Sequence, residues 1–158
     1  MKCFKILGAA LLAAALPLKL EAATLCTTTA LALGFGGYNP FSTAPLDNTG
    51  QVSVSCTGEL ISAPVNYTIR LSAGSSGGFT TRYMVQGTNL LNYNLYTNSS
   101  HSIVWGDGAG GTSSVTDSYS LGLLTVTRNY PVYGRVPAQQ NVMPGLYADT
   151  IVVTVDYQ

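Results

Sequence analysis

The chain has 158 residues, of which 9% are charged, and seven basic side chains balance seven acidic ones. That density is far below the ~25% of an ordinary soluble domain, so Thr, Ser, Asn and Gly must clothe the surface. With no cluster of Lys and Arg, the composition argues against a nucleic-acid surface, and the length suits one domain with one core.

The first residues read as a secretory signal peptide. Lys2 and Lys5 precede an apolar stretch over residues 6–16, Pro17 interrupts it, and the small residues Ala22 and Ala23 follow. The stretch falls short of the ~20 residues of a membrane-spanning helix, and no later segment comes closer. Cleavage is expected after Ala22 or Ala23, giving a signal peptide over residues 1–22 and one domain over residues 23–158. A cut after Ala15 would instead leave Leu16, Leu18 and Leu20, alternating with Pro17, Lys19 and Glu21, ahead of Cys26. All three lysines precede residue 23. After it, Arg70, Arg82, Arg128 and Arg135 face Asp47, Glu59, Asp107, Asp117, Asp149 and Asp156.

Cys3 leaves with the signal, and Cys26 and Cys56 remain as an even pair. In an oxidising compartment such a pair is expected to form a disulfide tying the first strand to the second, rather than two buried thiols.

Alternation of apolar and polar residues then runs through the chain. Val52, Val54 and Cys56 alternate with Ser53 and Ser55. Val65, Tyr67, Ile69 and Leu71 alternate with Asn66, Thr68, Arg70 and Ser72. Leu91, Tyr93 and Leu95 alternate with Asn92, Asn94 and Tyr96, and residues 151–157 end the pattern. Period two marks half-buried strands. Turn-forming residues separate them at 47–50, at 73–78 and at Pro144-Gly145. Short strands with such turns and no helical period predict an all-β sandwich.

Chemistry is hard to find. His101 stands alone in a polar loop without a nucleophile elbow, and reads as a solvated surface residue. The run from Gly106 to Thr112 lacks the lysine and following helix of a phosphate loop, and Asp107 alone is too few carboxylates for calcium; a glycine turn beside a buried Trp105 is expected. No catalytic, cofactor or metal set is expected. Asn66 and Asn98 lie in glycosylation sequons that chance explains in so Asn- and Thr-rich a chain. Leu60-Ile61 and Tyr83-Met84, apolar residues read as lying in turns, are expected to pack inside.

Six segments fall in an informative order. Tyr38-Asn39-Pro40-Phe41 and Val52-Ser53-Val54-Ser55-Cys56-Thr57 come first, then Tyr93-Asn94-Leu95-Tyr96-Thr97 and Val104-Trp105-Gly106-Asp107-Gly108. Val132-Tyr133-Gly134-Arg135-Val136-Pro137 and Pro144-Gly145-Leu146-Tyr147-Ala148-Asp149 follow, and the alternating strand at 151–157 closes the set. Together they resemble the spore coat protein U domain family, whose members include subunits of archaic, Csu-type chaperone–usher pili. The resemblance implies an immunoglobulin-like β-sandwich lacking its last strand, completed by donor-strand complementation. The groove edge would be Ile151, Val153, Val155 and Tyr157, with the carboxylate of Gln158 held by basic residues of a chaperone.

The implied partners are a periplasmic pilus chaperone, an outer-membrane usher and neighbouring pilin subunits, met in the periplasm on the way to the cell surface. With cleavage after Ala22, only Ala23, Thr24 and Leu25 precede Cys26. The subunit would then accept a strand without donating one, which suits the distal end of a fibre and a part in attachment and biofilm formation. The alternative is a stand-alone secreted coat or matrix protein with a complete sandwich.

Overall fold

A computed structural model describes residues 24–58 and 63–158. The stretch read as a signal peptide and the Leu60-Ile61 pair lie outside the described residues. Eight strands form: β1 (Leu25–Leu31), β2 (Leu46–Thr57), β3 (Ala63–Leu71), β4 (Arg82–Gln86), β5 (Asn89–Tyr96), β6 (Val115–Leu121), β7 (Val126–Val136) and β8 (Val153–Tyr157). They make a five-stranded sheet in the order β1-β2-β7-β5-β4 and a three-stranded sheet in the order β6-β3-β8. All the pairings are antiparallel.

The period-two pattern does what was expected of it. Val52, Val54 and Cys56 on β2 face Val65, Tyr67, Ile69 and Leu71 on β3, and Leu91, Tyr93 and Leu95 on β5 join them in one core. Each such burial contributes about 1.5–3 kcal/mol, so the facing rows hold the two sheets together. Trp105 is fully buried, and its indole N–H donates to the Ile69 carbonyl at 3.2 Å. Met84 packs against the core as expected, but it and Tyr83 lie on β4 rather than in a turn.

Two polar positions of the pattern are shielded from solvent in the structure. Thr68 and Asn94 are both buried. Asn94 is buried because it serves Arg82, accepting from that guanidinium at 2.7 Å and donating to the Phe79 carbonyl at 2.9 Å.

Pro131 sits inside β7, opposite Gln51 of β2. β5 pairs with β7 from Tyr133 to Arg135. Pro131 therefore lies where β7 has β2 as its neighbour on one side, and a missing N–H is tolerated there.

Candidate functional site

β8 is held on one flank. Its register with β3 sets Tyr157 opposite Tyr67, Val155 opposite Ile69 and Val153 opposite Leu71. On the outer face Arg70 of β3 forms an ion pair with Asp156 of β8. The last backbone N–H, that of Gln158, donates to the Asn66 carbonyl at 2.9 Å.

The strand begins later than the alternation implied. Ile151 and Val152 precede it, because the Val152 N–H takes the side-chain oxygen of Ser72 at 2.9 Å in place of a backbone carbonyl. Ile151 still packs against the core beside Val153 and Val155.

The inward residues of β8 differ from those of β3 in one respect. Tyr67, Ile69 and Leu71 are buried, whereas Val153 and Val155 are half-buried and Tyr157 is 47% exposed. The cause is the opposite flank. β1, at the edge of the other sheet, pairs with β2, and β8 pairs with β3, but no ladder joins β1 to β8 among the described residues.

Two cavities occupy the space between them. One, of about 470 Å³, is lined by Ala30, Leu33, Phe35, Ile151 and Val153 among others. The other, of about 320 Å³, is lined by Thr24, Leu25, Cys26, Val65, Tyr157 and Gln158. The start of β1 thus meets the end of β8, and the two edges run antiparallel. A side-chain hydrogen bond spans them, between the Thr28 and Tyr157 hydroxyls at 3.4 Å.

The β1 wall is braced by a covalent link to β2. Cys26 and Cys56 stand directly opposite in the β1–β2 register and are disulfide-bonded, with Cα atoms 4.0 Å apart. The bridge encloses 30 residues of sequence separation, and a loop of that size is stabilised by roughly 3–4 kcal/mol in the chain-entropy model. Replacing both cysteines with serine is expected to cost about 2–4 kcal/mol. The denaturant midpoint should fall accordingly, and reductant should lower the wild-type midpoint but leave the variant unmoved.

The floor of the larger cavity depends on glycine. A Cβ on Gly134 would stand 2.6 Å from Leu33 and 2.8 Å from Phe35. The bare strand there lets the chain after β1 lay both side chains across β7, where Phe35 meets the Tyr93 ring edge-on.

Asp149 closes the far rim. Its carboxylate accepts from the Tyr93 hydroxyl at 2.7 Å, the Ser75 N–H at 2.8 Å, the Ser75 hydroxyl at 2.7 Å and the Thr150 N–H at 2.8 Å. Gly74, at φ 65, leaves room for it. Burial alone would raise this carboxyl, but those hydrogen bonds outweigh it and hold the group below the usual carboxylate range.

A lowered folded-state value means that the stabilisation is present above the unfolded value of ~3.9 and is lost as pH falls through the folded one. Asp149→Asn is therefore expected to lower stability by about 1–3 kcal/mol at pH 7. It should also flatten the fall in thermal midpoint as pH drops below the unfolded carboxyl value of ~3.9.

Residues 12–154 match the Spore Coat Protein U domain. The chain belongs to the Spore Coat Protein U domain family. It is 34% identical over 135 residues to Protein U of Myxococcus xanthus, covering 79% of this chain and 71% of that protein. Among solved structures it resembles a chain in the CsuC–CsuE chaperone–tip adhesion subunit pre-assembly complex from archaic chaperone–usher Csu pili of Acinetobacter baumannii. The TM-score is 0.55 at 22% identity, over 85% of this chain. That likeness shows a shared fold, and this chain spans 40% of the length of the chain it matches.

Within this spore coat U domain the remaining sequence candidates fall away from the groove. His101 is not the solvated residue it was read as. Its side chain is 8% exposed, edge-on to the Tyr96 and Tyr133 rings at centroid distances of 5.2 and 6.4 Å. Its Nε2 stands 3.9 Å from Asp47, a carboxylate already held by Arg135 through two bonds of 2.7 Å. The Arg135 bond and burial pull Asp47 in opposite directions, and the bond prevails, keeping the carboxyl below its ordinary value.

The Gly106–Thr112 segment is a glycine turn. Asp107 accepts from the Ala109 N–H at 2.9 Å and the Thr112 hydroxyl at 3.2 Å. Among the described residues no group of three or more His, Cys, Asp or Glu is placed to hold a metal ion. The groove residues the sequence missed are Leu33, Phe35 and Asp149, which come to the site from segments outside the strands.

Proposed function

We propose that this protein is an exported subunit of an archaic chaperone–usher pilus, with the open β1–β8 side as the place where a partner strand is added. The observation that carries the reading is a pair of antiparallel edges with two cavities between them and half-exposed valines along one edge. A single extended segment laid there would pair its backbone with an edge and drop alternate side chains into the cavities, as in strand addition to an exposed sheet edge. Ile151, Val153, Val155 and Tyr157 would form the rim, with Gln158 beside them.

Family membership and the shared fold with a chaperone-bound tip subunit support a periplasmic chaperone first, then an usher and a neighbouring subunit, as successive partners. The signal-peptide pattern supports export across the inner membrane and a final place at the cell surface. No helix among the described residues is long and apolar enough to cross a membrane. The reading makes the protein structural rather than catalytic. Cleavage after Ala22 would make it a strand acceptor alone, suited to the fibre tip and to attachment and biofilm formation.

Periplasmic expression tests this. With a chaperone of the archaic type the domain should purify as a one-to-one complex, and without it the domain should aggregate or be degraded. A soluble, long-lived monomer without chaperone would instead favour a stand-alone coat protein with a complete sandwich. The intact mass of the product fixes the first residue, and with it whether residues 16–22 remain to be donated.

A further inference from the structure

The sandwich has a second flank where edges stand free. Among the described residues, β6 pairs with β3 alone, and β7 below Tyr133 pairs with β2 alone. Between β6 and residues 126–132 of β7 the two sheets could also admit a strand, yet the side chains there differ in kind from those of the β1–β8 side.

Asp117 and Tyr119 point inward from β6, as the alternation of its burial requires. The Tyr130 hydroxyl of β7 donates to Asp117 at 2.6 Å, and the Tyr67 and Tyr130 hydroxyls are 2.5 Å apart. Arg128 of β7 lies 3.9 Å from Asp117 and carries its guanidinium 5.0 Å above the Tyr119 ring. The Tyr119 ring in turn meets Tyr67 edge-on. Polar and aromatic groups of both sheets therefore bridge this flank, and neither cavity described above is lined by β6.

We infer that Asp117, Tyr119, Arg128 and Tyr130 form a latch that seals this second flank and so confines strand addition to the β1–β8 side. The inference rests on the reading of that side as strand-accepting. An incoming strand beside β6 would have to break the Tyr130–Asp117 bond and leave a carboxylate and a guanidinium against its apolar residues, which is costly without new partners. Inward charge on an edge strand is a known way to refuse further pairing. On the β1–β8 side the charged residue of β8, Asp156, points outward to Arg70, so no such cost arises.

The test uses the full chain refolded with a ten-residue synthetic peptide of alternating valine and threonine. Native mass spectrometry counts the peptides bound, and hydrogen exchange locates them. Wild type should take one peptide, with protection gained in β1 and β8 and none in β6. Asp117→Val with Arg128→Val should take two, and β6 should exchange at least tenfold more slowly when peptide is present. The milder pair Asp117→Asn with Arg128→Gln, which removes both charges and keeps polar side chains, should show the same gain in β6 to a smaller degree.

Protection of β6 in the wild type, or its absence in both variants, would overturn the latch. A wild type that gains no protection in β1 or β8 would instead sink the strand-accepting reading. The difference between wild type and variants at β6 would still decide the latch.

Discussion

Replacing Arg82 with leucine is expected to unfold the domain at ambient temperature or bring it to the brink. The side chain is 0% exposed, and its guanidinium donates to the Ser72 carbonyl at 3.1 and 2.8 Å, the Trp105 carbonyl at 2.8 Å and Asn94 at 2.7 Å. The Phe79 ring lies 5.2 Å from it. Burial works against the charge and lowers its pKa, opposed by the nearby Tyr93 and Asp149.

A leucine would fill most of the volume and satisfy none of the three acceptors. Breaking a buried charged network from one side costs about 3–5 kcal/mol, a large share of the ~5–15 kcal/mol that holds a domain together. Arg82→Lys should recover part of the loss, since an ammonium keeps the charge without the planar fork that reaches several acceptors at once. Urea unfolding of the chaperone-free, strand-complemented domain measures both.

The second large effect is on association. Val155 lies midway along β8, opposite Ile69, half-buried and facing between the sheets. Val155→Asp places a carboxylate where an incoming strand must lay apolar side chains. Burying it without a partner costs several kcal/mol, and even 3 kcal/mol weakens capture more than 100-fold. The domain itself should lose little, because the edge is open to water before a partner arrives. Thr154→Asp, one position along and on the outer face opposite Arg70, should leave capture near wild type. Co-purification with a chaperone, quantified by the molar ratio recovered, separates the two variants.

What the sequence disclosed, and what it hid, follows from how each feature is encoded. β2, β3 and β5 were legible because one of their faces is buried and Val, Leu, Ile and Tyr recur there at every second residue. β6 was harder to read. Its inward positions include Asp117, a polar residue that the latch accommodates and a hydrophobic pattern cannot show. Asn94 and Arg82 were misleading or silent for the same reason, since each is buried only because the other is there.

The cysteine pair was readable from its even count, but the register that sets Cys26 opposite Cys56 was not. The C-terminal edge of the proposed site drew on the alternation and the family resemblance. Its floor did not, because Leu33 and Phe35 meet Gly134 from far away in sequence, and no local signal couples such positions. His101 was misread because a polar neighbourhood in sequence gave no hint of the Tyr96 and Tyr133 rings that enclose it.

The most direct test of the central claim is to append a strand. Because β8 ends at the start of β1, a flexible linker after Gln158 followed by ten alternating Val and Thr residues can return along the open side. The extended chain is expected to be a soluble, chaperone-independent monomer whose thermal midpoint lies well above that of the unextended chain, with β1 and β8 amides newly protected from exchange. An unextended chain that is already a stable monomer, unchanged in midpoint and protection by the added strand, would contradict the claim that this side awaits a partner.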